Sequence, residues 1–165
     1  MRNVFALTSH DGRRMSDRDF AGKYRIVYFG YTNCPDVCPV DLAVIGGALR
    51  QFEQKDEERA ARVQPIFITS DPARDTPQVL RQFVDNFHPR LIGFTGTAEE
   101  IGRAGAAHRV SFERRRPSGE DEPAAYFVDH SRYTILYGPE GEPIVILPVE
   151  EGPAAVLAEL EEWAR

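Results

Sequence analysis

Two runs of the chain, Tyr24 to Gly30 and Val63 to Thr69, are β-branched and aromatic with little alternation. That pattern predicts strands covered on both faces. Between them Leu42, Ile45, Leu49 and Phe52 recur at spacings of three, four and three, so a helix with one apolar face is expected to follow Pro39. Leu80, Phe83, Val84 and Phe87 line a second helix, entered through Thr76 as N-cap and Pro77 as first helical residue. Leu91 to Phe94 is short and strand-like, and Thr97-Ala98-Glu99-Glu100 has the capping-box spacing that starts a third helix, running to about His108.

Ahead of this core, residues 4–8 read as an edge strand closed by the Ser9-His10-Asp11-Gly12 turn, and Ser16 caps a short helical turn ending near Gly22. Residues 113–124 mix charge with Pro and Gly, carry no periodicity and are expected to form an exposed, mobile loop. Tyr126 to Tyr137 and Pro143 to Pro148, separated by the Gly138-Pro139-Glu140-Gly141 turn, predict a β-hairpin. A last helix from about Gly152 is expected to bury Val156, Leu157, Leu160 and Trp163. The order predicts one α/β layer structure over residues 1–165, without repeats or linkers. Its sheet should be mixed, because hairpin strands run antiparallel while helical crossovers favour parallel neighbours.

Composition narrows the functional classes. The 165 residues are 42% hydrophobic, enough for one packed domain without disulfide staples. A net charge of -6 opposes broad attraction to phosphate backbones, so no nucleic-acid partner is expected. The basic run Arg114-Arg115-Arg116 is followed by Glu120, Asp121 and Glu122, which cancel most of its field. No segment approaches the roughly 18 apolar residues of a membrane helix, and Met1-Arg2-Asn3 opens no secretory segment, so the chain as it stands is expected to be soluble.

The two cysteines carry the candidate chemistry. Cys34 and Cys38 follow a buried strand and precede a helix, where free backbone N–H groups and the helix dipole favour thiolate over thiol. Their spacing folds both sulfurs into one tight loop, suited either to a small disulfide or to chelation of one ion. Redox motifs more commonly leave two residues between the sulfurs, which favours metal. A dithiolate selects Cu(I), zinc or an iron–sulfur cluster, and the last normally needs four cysteines. Of the four histidines, His10 sits in a turn, while His88 and His108 fall near predicted helix ends. His130, in Phe127-Val128-Asp129-His130-Ser131 just before a hairpin strand, has beside it a carboxylate able to orient the ring or to approach the metal as a weak ligand.

The segment Tyr28-Phe29-Gly30-Tyr31-Thr32-Asn33-Cys34-Pro35-Asp36-Val37-Cys38-Pro39 resembles the copper-site segment of the Sco/SenC/PrrC family. Asp71-Pro72-Ala73-Arg74-Asp75-Thr76-Pro77, Phe87-His88-Pro89-Arg90, Gly93-Phe94-Thr95-Gly96-Thr97 and Val128-Asp129-His130-Ser131 resemble further segments, in the family's order. The resemblance implies a thioredoxin-like fold: a central mixed β-sheet flanked by helices, with an N-terminal strand extension and insertions. It implies copper, as Cu(I) and Cu(II), on Cys34, Cys38 and His130, with Asp129 orienting the ring rather than bonding the metal. The implied role is a metallochaperone, not an enzyme, that delivers copper to the dinuclear CuA centre during cytochrome c oxidase assembly. The implied partners are the CuA-bearing subunit and a thiol reductant or second copper chaperone. The alternatives are a thiol-disulfide oxidoreductase using Cys34 and Cys38 on the partner's copper-ligand cysteines, and a redox or copper sensor. Family members are commonly held at the inner membrane by an N-terminal helix, absent from this sequence, and face the periplasm or the intermembrane space. Two positions depart from the family pattern: Asn33 stands where histidine is frequent, and Ile144 to Pro153 is less aromatic. The Asp71 to Pro77 segment reads physically as a turn followed by a cap, with a docking surface as the other reading.

Overall fold

A computed structural model of the chain describes residues 5–32, 37–113 and 134–165, with the backbone alone at 37, 38 and 107–113. A mixed sheet forms from β1 (Ala6–Ser9), β2 (Arg14–Ser16), β3 (Tyr24–Gly30), β4 (Val63–Thr69), β5 (Ile92–Thr95), β6 (Thr134–Tyr137) and β7 (Pro143–Leu147). Its order is β2-β1-β5-β4-β3-β6-β7. Strands β3, β4 and β5 are parallel, while β1 pairs antiparallel with β5 and β6 pairs antiparallel with β3. The two unalternating apolar runs are the two central strands, paired over their whole length from Tyr24↔Val63 to Gly30↔Thr69.

The helices are α1 (Val37–Lys55), α2 (Glu57–Ala61), α3 (Pro77–Val84), α4 (Ala98–Glu113) and α5 (Pro153–Trp163). On one sheet face Leu42, Ile45, Leu49 and Phe52 of α1 join Leu80 and Val84 of α3 and Val156, Leu157 and Leu160 of α5 against Ile26, Tyr28 and Phe67. On the other face Phe5, Phe20 and Ile101 close over Val27, Phe29, Ile66, Ile68 and Phe94. Alternate residues of β3 and β4 thus enter different cores, which is why neither strand shows a polar face.

Local signals act as their chemistry requires. The Thr76 side chain accepts from Val79 N–H at the start of α3, with Pro77 at the first helical position. Thr97 and Glu100 exchange side-chain-to-backbone hydrogen bonds, both 3.0 Å, to form the capping box of α4. Ser16 and Asp19 make a second capping box on a 3-10 turn over Asp17–Phe20.

Several expectations are corrected. The strand near residues 4–8 is not at the edge, because Arg14–Ser16 adds β2 outside it; three residues are too short to give a periodic signal. Helix α2 has no apolar face of its own, and only Ala60 is buried, so no periodicity announced it. Helix α4 runs five residues past His108, to Glu113. Trp163, expected in the core, is 42% exposed in the last turn of α5 and donates its indole N–H to Glu159. The remainder of the expected 113–124 loop, and the first part of the hairpin up to residue 133, lie outside the described residues.

Candidate metal centre

The parallel strands β3, β4 and β5 all end at the same side of the sheet, where chain crossings build most sites of α/β folds. Strand β3 ends at Gly30 and leads through Tyr31 and Thr32 toward Cys34, and Cys38 is the second residue of α1. The first turn of α1 carries no acidic side chain, so no fixed charge within it opposes the positive end of the helix dipole. Strand β6 runs antiparallel to β3 with Val27↔Ile135, so its first residue, Thr134, lies toward the end of β3 that feeds the cysteine segment. Thr134 is fully buried, and its hydroxyl has no hydrogen-bond partner among the described residues.

Cys34, Asp129 and His130 lie outside the described residues, and only the backbone of Cys38 is described. The structure therefore positions the two chain segments that flank the predicted ligands rather than the ligand atoms. Among the described residues no group of three His, Cys, Asp or Glu side chains is arranged to hold a metal ion.

Two other histidines have structural employment. His10 accepts from Gly93 N–H at 3.1 Å through Nδ1, tying the β1–β2 turn to β5. His88 is not a charge at a helix end, as its position suggested, but a buried ring between α1 and β5. Its Nδ1 accepts from Arg90 N–H at 3.0 Å, and Nε2 lies 3.2 Å from Glu53. Burial lowers its pKa, with Glu53 opposing that shift and Arg90 and Arg50 adding to it. Burial alone would raise the Glu53 pKa, but the hydrogen bond from Arg90 and the nearby His88 outweigh it and leave that carboxyl below its ordinary value.

A hydrogen-bond cluster at the same sheet end escaped the sequence reading. Asp75, 1% exposed, accepts from the Thr32 N–H at 3.0 Å, the Thr32 hydroxyl at 2.6 Å and the Thr69 hydroxyl at 2.6 Å. Ser70 N–H donates to Gly30 C=O at 2.7 Å, and its hydroxyl reaches the same oxygen at 3.2 Å. Beneath the first turns of α1, buried Asp41 accepts from the Tyr28 hydroxyl at 2.9 Å. The one available signal was Tyr28 itself, because a buried tyrosine in a strand covered on both faces needs a partner for its hydroxyl.

The family model described as SCO1/SenC matches residues 1–165. The chain belongs to the SCO1/SenC family. It is 42% identical over 137 residues to the bovine mitochondrial protein SCO2 homolog, covering 83% of this chain and 50% of that protein. The human mitochondrial SCO1 homolog is 38% identical over 138 residues, covering 84% of this chain and 44% of the relative. The chain thus spans about half the length of these curated SCO relatives. The crystal structure of yeast Sco1 with copper bound superposes with a TM-score of 0.81 at 33% identity, covering 98% of this chain and 90% of that one. A thioredoxin domain of a Bacteroides vulgatus thiol-disulfide oxidoreductase superposes with a TM-score of 0.62 at 13% identity, covering 98% and 94%, and marks the fold as thioredoxin-like. The expected mixed sheet flanked by helices is therefore the fold of this SCO1/SenC chain.

Proposed function

We propose that this chain is a copper-binding domain in which Cys34, Cys38 and His130 hold a single ion, and that it hands copper to the dinuclear CuA centre during cytochrome c oxidase assembly. The observation that carries the reading is the convergence of the two flanking segments. Gly30 ends β3 four residues before Cys34, and Thr134 begins the adjacent antiparallel strand four residues after His130. Four residues of chain reach about 14 Å, and neighbouring strands lie about 4.8 Å apart, so both ligand segments are within range of one point. The copper-bound relative of known structure supports copper as the ion.

The donor set suits the ion. Two thiolates and an imidazole give Cu(I) a low-coordinate soft site, and Cu(II) recruits a further oxygen. Asp129 steadies the imidazole without bonding the metal. Because the sulfurs must be deprotonated to bind, affinity falls as pH falls. Exchange with a disulfide of another protein, which takes up two electrons and is released as two thiolates, converts the pair to a disulfide and removes both sulfur ligands. The partners that fit are the CuA-bearing subunit, which accepts the ion, and a thiol reductant or another copper chaperone, which prepares the site. The periplasm or the intermembrane space is the compartment consistent with this role, and the named mitochondrial relatives suit the second.

The thioredoxin-like fold also favours a second reading, in which Cys34 and Cys38 reduce a disulfide of the partner and become a disulfide themselves. That reaction does not use His130. Copper titration under reducing conditions separates the two: wild type is expected to bind one ion, with binding lost in Cys34→Ser and Cys38→Ser and strongly weakened in His130→Ala. Tight binding retained after loss of either sulfur would overturn the copper site, and loss of disulfide reduction in His130→Ala would count against the second reading.

A further inference from the structure

We propose that Asp75 is a positioning residue for the metal site, fixing Thr32, where the chain leaves β3 toward Cys34, before any ion arrives. The inference rests on the copper reading above and goes beyond it. Asp75 belongs to the β4–α3 connection and is distant in sequence from both cysteines, yet two of its three hydrogen bonds go to Thr32, two residues before Cys34. The third goes to Thr69, the last residue of β4, whose hydroxyl in turn accepts from Asp71 N–H at 2.9 Å.

Capping α3 does not explain these bonds. Thr76 already performs that task through its own hydroxyl, and every side-chain bond of Asp75 points back toward the ends of β3 and β4. Charge compensation does not explain them either, since Asp75 makes no ion pair among the described residues. What the carboxylate supplies is a fixed three-point acceptor on the strand end from which the cysteine loop departs. A loop already fixed at Thr32 loses less backbone freedom on binding a metal, and one residue's worth of such freedom corresponds to about tenfold in affinity.

The geometry distinguishes position from charge. Asparagine at 75 can keep its oxygen toward Thr32 N–H and the Thr69 hydroxyl, both of which address Oδ2. Its amide then faces the Thr32 hydroxyl, which rotates from donor to acceptor. Alanine removes all three bonds.

The test compares Asp75→Ala and Asp75→Asn with wild type and Cys34→Ser. It reads Cu(I) affinity by chelator competition, the thiolate-to-Cu(II) absorption band, and hydrogen exchange of the Thr32 amide in the metal-free protein. Asp75→Ala is expected to bind about tenfold more weakly, with an altered band and faster Thr32 exchange, and Asp75→Asn to stay within about twofold with the native band. Thr32→Val, which keeps the backbone bond and loses the hydroxyl, should move the same way by about threefold and covers the case that the alanine variant does not fold. Native affinity and band in Asp75→Ala would reduce Asp75 to a structural residue, and equal damage in Asp75→Asn would make its charge the cause. Either result overturns the proposal. Wild-type binding that is indifferent to Cys34→Ser defeats the copper reading and the positioning role with it, and is recognised by slow Thr32 exchange in a protein without a thiol-dependent site.

Discussion

Adjacent glycines in the middle of α1 should respond to the same substitution with opposite signs. Gly46 is buried where the helix crosses the turn after α3. A Cβ there would lie well inside the 3.0 Å that real Cβ atoms keep from a neighbouring atom, against the Phe87 carbonyl oxygen. That oxygen cannot easily retreat, because it is backbone and accepts from Arg50 Nη2 at 2.6 Å. Overpacking of this kind costs about 1–3 kcal/mol, while alanine regains about 0.5–1 kcal/mol of helix propensity. Gly46→Ala should therefore be destabilised by about 1–2 kcal/mol, lowering Tm by roughly 3–6 °C for a chain of this size. At Gly47 the added carbon would meet only the Pro153 side chain at 3.8 and 3.9 Å, an ordinary contact. Gly47→Ala should gain the propensity term and melt about 2 °C higher. Thermal and urea unfolding of both variants give the comparison. Gly46→Ala melting at or above wild type would refute the reasoning, because it would mean that α1 is not pressed against the Phe87 carbonyl.

Two other perturbations have definite directions. The folded His88 ring takes up a proton at lower pH than the unfolded chain, so its stabilisation is complete above its ordinary pKa of 6.5 and drains away below it until the folded ring itself protonates. Urea midpoints should fall as pH drops below about 6.5, and His88→Gln should flatten that slope; an unchanged slope would exclude the ring as the source. Tyr28→Phe removes a donor to buried Asp41 and should cost about 1–3 kcal/mol by urea unfolding, against a near-neutral result if the hydroxyl is dispensable.

The elements that could be read from sequence were those with one dominant local cause. Leu42, Ile45, Leu49 and Phe52 gave α1 its face, Thr76-Pro77 the start of α3, and Thr97 with Glu100 the start of α4. What escaped depended on tertiary partners. Trp163 looked like core by residue type, but its position on α5 turns it toward solvent and Glu159. The Asp71 to Pro77 segment read correctly as a turn and a cap, yet nothing local could reveal that Asp75 would meet Thr32 across two strand ends. The candidate ligands rest on motif and resemblance. That β3 and β6, the strands flanking their segments, become neighbours is something a pattern of apolar residues cannot specify.

The antiparallel entry of β1 gives the molecule a polarity that matters for any attachment. Because Thr8 pairs with Thr95, the chain enters at the side of the sheet where β5 finishes, and three strand spacings, roughly 15 Å, separate β1 from β3 along that rim. The C-terminal carbonyls are clasped at the opposite pole, where Arg59 donates to Glu161 and Ala164, and Arg62 to Arg165, beside the start of β3. A tether ahead of Phe5 would keep the cysteine-bearing rim close to whatever holds it. A handle after Arg165 would leave that rim pointing outward, free to meet another protein.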